Sequence, residues 1–565
     1  MSLYGSIRLA SNTLRSNQIA MQVVGQNIAN ANTPGYIREE VVFSPAPTQK
    51  LGGLLLGMGV EVEAVVQKID LFLEERLRWS TSDRAGAEVS EQAYSQLEGV
   101  INELGDTDLS TSMNDFFSSI TEVLNAPENV SVRNLAVLKG MTLAQDISRT
   151  AQRVTDMRTD LNDRVHDMGE RINKLTEQIK KLNIQIAETE GGSVSASDAV
   201  GLRDQRLLAL ENLATIVKVR IKEQPSGGVT VYAGGDFLVF DGTRREVEVV
   251  ESSVGGVTVA EICLSETDSP LQAESGELQG LVDARDNVLG GFANSLDDFA
   301  KTLAFEFNKI FSSGQGLNGY KSVVAEYEVD ETDDELDQAG LKFTPVNGSF
   351  QVMVHNTTTG LSQTTDIFVD LNGLGDDMTM DDLVADLNAV SGISAQVSTT
   401  GALSISSDSP DQVFSFADDT SGLLAALGIN TFFSGYSALG LGVNEAIRDD
   451  PAKFSASRGG IGADTDNGVI LADFLDRRID SHNGESIGVI YDRMMGETAQ
   501  GAAISRSVAE GDRVFEQTLR GQKLATSGVT LDEEAVRLIS FQHSFQASAR
   551  YIGVLGELLD ILVNL

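Results

Sequence analysis

Apolar and small residues recur in alternating steps of three and four at the start of the chain: Leu3, Ile7, Ala10, Leu14, Met21, Val24 and Ile28, with only Asn17 interrupting. The far end repeats the pattern. Leu531, Leu538, Phe545, Ile552 and Leu559 fall every seventh residue, and Ala535, Gln542, Ala549, Gly556 and Val563 mark a second, mostly small position. Each series is the seam of a coiled coil, a narrow stripe that another helix must cover. Two long terminal helices are expected, covering one another and neighbouring copies. Small Ala535, Ala549 and Gly556 suit close approach, and Asn17 and Gln542 are candidate register-setting positions.

Between the ends, nine prolines act as punctuation, because proline destroys helix interiors. The intervals 1–33, 48–126, 128–224 and 452–565 contain none, and all four show helical periodicity. The strongest seam is Leu161, Val165, Met168, Ile172, Leu175, Ile179, Leu182 and Ile186. Counted from Met141 to its stop at Gly191-Gly192, this helix would be ~70 Å long at the standard rise, which suits a shaft better than a compact enzyme. The period becomes two after Thr215: Val217, Val219 and Ile221 alternate with Lys218, Arg220 and Lys222, and Gly227-Gly228 turns into Val229 and Val231. Short strands are predicted at 237–240, 246–250 and 257–264, then helix from Gly276 to about Phe311. A second strand-rich block covers about 340–433, with strands at 350–354, 366–371, 393–398, 403–406 and 413–416. Within it, one helix over 380–390 has Thr379 placed to cap and Asp382 in the charge-favoured first turn. Helix returns from Val469 onward.

The fold class expected is a multidomain α+β protein. Its terminal helices form a coiled-coil pair, long helices make a bundled shaft, and mostly antiparallel β modules are inserted. The segments divide as 1–45 with 525–565 for the terminal tube; 46–214, 268–325 and 436–524 for the shaft; 215–267 for a small β subdomain; and 326–435 for an acidic outer β module. Such nesting brings both termini to one end.

A length of 565 residues fits about three to four domains. The net charge of −41 argues against nucleic acid and anionic lipid as partners, since phosphate recognition needs clustered Lys and Arg. Acid concentrates between Glu326 and Gly435, where nineteen Asp and Glu face one base, Lys342; a solvated, outward-facing module is the simplest reading. A single cysteine, Cys263, rules out an intrachain disulfide, and its setting reads as a buried strand. No stretch approaches the roughly 18 apolar residues of a membrane helix, so no membrane insertion is expected. Arg8 and Arg15 break the only candidate leader, so export would need a route without a cleaved apolar signal.

Catalytic chemistry is not visible. His166, His355, His482 and His543 lack metal-ligand spacing, and neither nucleophile elbow, zinc helix, P-loop nor dinucleotide fingerprint occurs. The acidic run from Asp330 places Glu335 where a calcium loop needs glycine. No cofactor, metal or enzymatic activity is expected.

The first helix runs into Thr33-Pro34-Gly35-Tyr36. Proline presets the first central angle of a type II turn and glycine accepts the positive φ of the second. Asn30 and Asn32 are placed to cap the last helical carbonyls. By mechanism alone this is a helix stop. The longer string Gln26-Asn27-Ile28-Ala29-Asn30-Ala31-Asn32-Thr33-Pro34-Gly35-Tyr36, however, resembles the signature of the bacterial flagellar rod, hook and hook-associated axial proteins. At the other end, Ser527-Gly528-Val529-Thr530-Leu531-Asp532-Glu533-Glu534-Ala535 with Phe545-Gln546-Ala547-Ser548-Ala549-Arg550 looks like that family's C-terminal helix. Asn114-Asp115-Phe116-Phe117 with Pro127 and Arg133, Asp204-Gln205-Arg206, Gly276-Glu277-Leu278 with Gly280, Arg285 and Asp286, and Ala426 to Phe433 narrow the resemblance to the hook-associated members at the hook–filament junction. It touches nearly the whole chain and is weakest across 225–265 and 320–350.

The resemblance implies that Asn27, Ala29, Asn30, Thr33, Pro34, Gly35 and Tyr36 belong to a shared assembly and export region. It implies an inner tube built on Leu531 to Leu565, with an export chaperone on that helix. Expected partners are hook subunits, the adjacent hook-associated protein on the filament side, and further copies in a ring-like layer. The location is extracellular, on the flagellum. A flagellin lacks the Thr-Pro-Gly-Tyr string, a hook subunit should lack the 141–190 helix, and a secreted coiled-coil effector explains neither end signature. Uncovered seams gain little stability alone, and ordering them costs on the order of 1–2 kcal/mol per residue. Residues 1–45 and 525–565 are therefore expected to be mobile in the free subunit and to order on docking. Limited proteolysis of the monomer should trim both ends before the centre; ends as resistant as the centre contradict this.

Overall fold

The protein is seen here as a computed structural model describing residues 3–51, 54–102, 108–190, 197–254 and 257–564, the side chains of 51, 54, 102 and 254 excepted. It begins with α1 (Leu3–Ala29), followed by strands β1 (Glu39–Pro45), β2 (Gln49–Leu51), β3 (Leu54–Leu56) and β4 (Val60–Gln67). These strands correct the helical reading of the stretch from residue 48. Pro45 and Pro47 break any helix, and Val60 to Val66 alternate with period two. Gly59 takes φ +88°, where an added Cβ would come within 3.0 Å of the Leu9 carbonyl. β1 pairs antiparallel with β4, with a register shift between Val42 and Phe43.

Then come α2 (Leu71–Asn102), α3 (Leu109–Asn125), the 61-residue α4 (Val130–Glu190) and α5 (Val200–Ile216). α4 starts well before Met141. Asn129 Oδ1 accepts from the Ser131 N–H, and the early positions Arg133, Ala136 and Val137 are buried, which extends the helix forward. The expected stop at Gly191-Gly192 lies outside the described residues. The next strands are β5 (Val219–Glu223), β6 (Val229–Ala233), β7 (Asp236–Phe240), β8 (Thr243–Arg244), β9 (Val247–Val254), β10 (Val257–Leu264) and β11 (Ser269–Pro270). They form two antiparallel sheets, β5-β6-β7-β8 and β11-β10-β9. Cys263 is buried in β10, as its sequence setting predicts.

α6 (Glu277–Asp283) passes through a π-helical turn into α7 (Gly290–Ser312). After β12 (Ser322–Val324) come β13 (Gly348–Asn356), β14 (Ser362–Val369), α8 (Met380–Asn388), β15 (Ile393–Val397), β16 (Leu403–Ser407) and β17 (Gln412–Ala417). Thr379 caps α8 as expected: its hydroxyl accepts from the Asp382 N–H while Asp382 returns the bond, a full capping box. The rest is α9 (Leu423–Leu427), the short pair β18 (Phe433–Ser434) and β19 (Gly442–Val443), α10 (Glu445–Asp449), α11 (Asp466–Ala472), α12 (Ile487–Ser527) and α13 (Leu531–Val563). Helix is not continuous from Val469: Asn483 and Gly484 take positive φ between α11 and α12.

The chain groups into two compact units. One holds Met1–Gln92, Thr159–Arg285 and Ala503–Leu565; the other holds Ala93–Arg158 and Asp286–Ala502. In the first, the β5–β11 sheets dock on α4 through three asparagines. Asn162 Oδ1 accepts from the Ala260 N–H and from Arg285. Asn173 exchanges bonds with both backbone groups of Val247. Asn183 does so with Val229, donates also to the Asp241 carbonyl and accepts from Arg206. Apolar α4 positions Val165, Ile172, Ile179 and Ile186 are fully buried alongside. Gly280 faces Gly86 so closely that a Cβ would fall 2.6 Å from the Gly86 carbonyl, which fixes glycine where α6 crosses α2.

The second unit is built on packed rings. Phe116 lies 5.4 Å from Phe307 and 5.2 Å from Phe432 between ring centroids. Its β block has two antiparallel sheets, β14-β13-β17 and β12-β16-β15, around a core that includes Phe350, Val352, Leu383 and Phe414. Glu331, Asp333, Asp334 and Asp337 are exposed, in keeping with a solvated acidic surface.

Candidate assembly interface

α1 and α13 pack on each other within the first unit. The knot that joins them is polar. Asn27 is buried at the end of α1 and uses every hydrogen-bonding group it has. Its Nδ2 donates to the Glu39 carbonyl (3.0 Å) and to Glu534 Oε2 (3.1 Å); its Oδ1 accepts from the Tyr36 hydroxyl (2.8 Å) and the Glu39 N–H (2.9 Å). Arg38, also buried, donates to Glu534 Oε1 at 2.5 Å and to Glu533 Oε2 at 3.0 Å. Glu534 is fully buried at the start of α13.

The turn aims these groups. The Tyr36 N–H donates to the Thr33 carbonyl and Gly35 takes φ +78°, the type II geometry that Pro34-Gly35 predicts. Asn30 Nδ2 caps the Gln26 carbonyl, and its Oδ1 accepts from the Thr33 hydroxyl. β1 continues the contact: Arg537 lies 3.7 Å from Glu40, and Phe43 and Phe541 pack with centroids 6.2 Å apart.

Behind the turn lies a second polar layer. Leu208 of α5 packs beside Gly35. Asp204 accepts from Gln67 Nε2 and faces the Ile37 backbone. Burial pushes its carboxyl from 3.8 up to about 6, against the pull of those two donors. Burial, with Glu39, Asp204 and Glu534 nearby, also holds the Tyr36 hydroxyl well above the usual phenol range. Lys523 bridges Glu74 and Glu211 at 3.0 and 2.5 Å.

The seam residues divide. On α1, Val24 is buried and Leu3, Ile7, Leu14, Met21 and Ile28 are half-buried; Asn17 is buried in the same stripe. On α13, Leu538, Phe545, Ile552 and Leu559 are half-buried, but their companions are Glu534, Phe541, Ser548 and Leu555. The second position therefore sits one residue before the Ala535, Gln542, Ala549 and Gly556 series read from the sequence. Leu531, Gln542 and Ala549 are exposed, and Gly556 is half-buried with nothing within 4 Å of an added Cβ. In the turn, Ala29, Thr33 and Pro34 are exposed and Asn30, Gly35 and Tyr36 half-buried. Arg38 escaped sequence reading, and Glu534 was legible only as part of the C-terminal family string, not as a buried seam residue. A clue was present: Glu534, Leu538, Phe541, Phe545, Ser548, Ile552, Leu555 and Leu559 alternate steps of four and three without a break.

The two ends and the middle match known families separately. Residues 7–36 match the flagella basal body rod protein segment, 94–323 the flagellar hook-associated protein FlgK helical domain, and 520–565 the flagellar basal body rod FlgEFG protein C-terminal segment. Asn27 and Tyr36 fall in the first and Glu534 in the last. A flagellar hook-associated protein 1 from Bacillus subtilis is 24% identical over 587 residues, covering 100% of this chain and 98% of its own. One from Escherichia coli is 24% identical over 580 residues, covering 99% of each. A solved structure titled as the flagellar hook junction protein FlgK from Burkholderia pseudomallei overlays with a TM-score of 0.48 at 14% identity, over 80% of this chain and 99% of that one.

Because Asp204 is harder to ionise folded than unfolded, its contribution to stability is complete below pH 3.8 and is lost as pH rises through about 6. Asp204→Asn should therefore stabilise the first unit at pH 7.5, by well under the about 3 kcal/mol that the full shift would give, because the carboxyl is partly solvated. It should also flatten the pH dependence of thermal unfolding between pH 4 and 6. An unchanged slope contradicts the assignment.

Proposed function

We propose that the chain is a first-type flagellar hook-associated protein, the structural subunit joining hook to filament. The observation that carries the mechanism is the two-faced character of α13. One face closes on α1 through Glu534, Leu538, Phe541, Phe545, Ile552 and Leu555. The other leaves Val536, Ile539, Val554, Leu558, Ile561 and Leu562 exposed. Large apolar side chains lined up along one helix face are an interaction surface. A single copy cannot cover them; a ring of copies can. Hook subunits on one side and the neighbouring hook-associated protein on the filament side would close the layer axially.

Assembly then proceeds in two steps. The knot of Asn27, Tyr36, Arg38 and Glu534 sets α13 against α1 in register, and neighbouring copies cover the remaining stripe. Only Glu534 and Leu555 of α13 are fully buried in the isolated chain, so most of the helix gains its packing from neighbours. This supports ends that are mobile beyond the polar knot in the free subunit, export in an unfolded state, and a dedicated chaperone on the exposed face of α13 before assembly. No helix among the described residues is long and apolar enough to cross a membrane. The role is structural, without catalysis.

Purified tagged protein added to isolated hooks should form a short, self-limited layer at the distal end under the electron microscope. Continuous growth would instead make it a hook or filament subunit, and absence of binding would sink the assignment. Gly556→Leu sharpens the test, because nothing in the isolated chain lies within 4 Å of a Cβ added there. The variant should keep its helix content and thermal unfolding yet lose incorporation. Normal incorporation would show that this face is not buried between copies.

A further inference from the structure

In the first unit a cleft of about 390 Å³ opens between the start of α2, α5 and the β5–β6 hairpin. Its walls include Phe72, Leu207, Leu210 and Ile221, and two arginines, Arg78 and Arg206, line it with them. Arg78 is 8% exposed, and its buried Nε has no hydrogen-bond partner among the described residues. Burial lowers its proton affinity, while Glu74, Glu75 and Glu211 act in the opposite sense. Two of those three are engaged elsewhere, since Glu74 and Glu211 share Lys523. Arg206 is similarly uncommitted to a carboxylate: it donates to Asn183 Oδ1 and the Gly227 carbonyl. The third cation of the cleft, Arg203, is taken by Glu190 and Glu223.

A guanidinium presents five N–H donors in a planar fork, and leaving them unpaired in a desolvated site is costly. A carboxylate is the geometric complement of that fork. The cleft also has the size and mixed lining of an ordinary ligand site. Glu75 and Asp198 sit on the same walls, with Asp198 accepting from the Gln67 N–H. They oppose a bare anion, so occupancy needs apolar contact as well as charge. We propose that this cleft is a binding site for a carboxylate carried on a short apolar body. An acidic side chain flanked by apolar residues on a neighbouring subunit has that chemistry, and so does a free aliphatic acid. The cleft adjoins the signature turn, because Leu208, next to Leu207 on α5, is the residue packed beside Gly35.

The test uses the full chain and hexanoate, read by isothermal titration calorimetry and by the shift in thermal unfolding. Hexanoate should bind saturably in the millimolar range expected of so small a ligand, while acetate and hexan-1-ol should not. Arg78→Met should weaken hexanoate about tenfold or more, as loss of a charge-assisted bidentate contact does. Ile69 also lines the cleft; Ile69→Trp narrows it while keeping Arg78 and should abolish binding, so the proposal stays testable if either variant folds poorly. Hexanoate that never saturates, or that binds Arg78→Met as well as the parent chain, overturns it. A photo-cross-linking residue at Phe72, activated after assembly on hooks, separates the two sources. A cross-link to a neighbouring subunit assigns the carboxylate to a protein side chain; hexanoate binding without a cross-link assigns it to a free acid. The hexanoate result does not depend on the junction role.

Discussion

The buried ion pair between Arg38 and Glu534 is the constraint on which the terminal architecture rests. Two charges withdrawn from water recover their desolvation cost only when geometry is close and the remaining donors and acceptors are met. Here that requires α1 to present Asn27 in its last turn, the following turn to deliver Arg38 and Tyr36, and α13 to present Glu534 in its first turn, 496 residues further along the chain from Arg38. Remove Arg38 and the Glu534 carboxylate is left buried without its counter-charge. A contact of this kind contributes modestly to net stability but discriminates strongly against wrong register. That is what a helix pair needs when its apolar seam alone would tolerate sliding by a heptad.

Register matters because, on the proposed function, the outer face of α13 is the part offered to other copies. Sliding α13 along α1 would move Val536, Ile539, Val554 and Leu558 relative to the rest of the subunit, and a stack of such subunits would lose its geometry. The polar knot and the apolar stripe therefore have separate roles. One fixes position within a copy, and the other provides area between copies. The net charge of −41 adds a third element, a long-range repulsion that keeps free subunits apart until short-range apolar contact is made.

Much of this was legible in the sequence because periodicity reports burial directly. The α4 seam, the strands β5, β6, β7, β9 and β10, the cap at Thr379 and the type II turn at Pro34-Gly35 all follow from local rules and all appear. The family signature was legible too, as a string. Its chemistry was not, since Asn27 acts through Glu534 and no local pattern pairs residues so distant in sequence. The phase of α13 was missed for a related reason. Glu534 and Ser548 occupy seam positions, and a polar residue at a seam reads as solvent-facing until its buried partner is known. The strands from 49 to 67 were hidden because a proline-free stretch reads as helical, although Val60, Val62 and Ala64 alternate with Glu61 and Glu63. The asparagines at 162, 173 and 183 look like ordinary helix-surface residues until the strands they bond are in place.

A double-mutant cycle on Arg38→Met and Glu534→Leu, read by hydrogen exchange of the α13 amides in the full chain, tests the central claim most directly. Each single variant should accelerate exchange around residues 534–545 strongly. The double variant should do little worse than either, giving a coupling of about 2 kcal/mol or more, as for other buried charge pairs. Additive effects, with a coupling below about 0.5 kcal/mol, would mean that α13 is placed by its apolar seam alone and that the polar knot does not set its register.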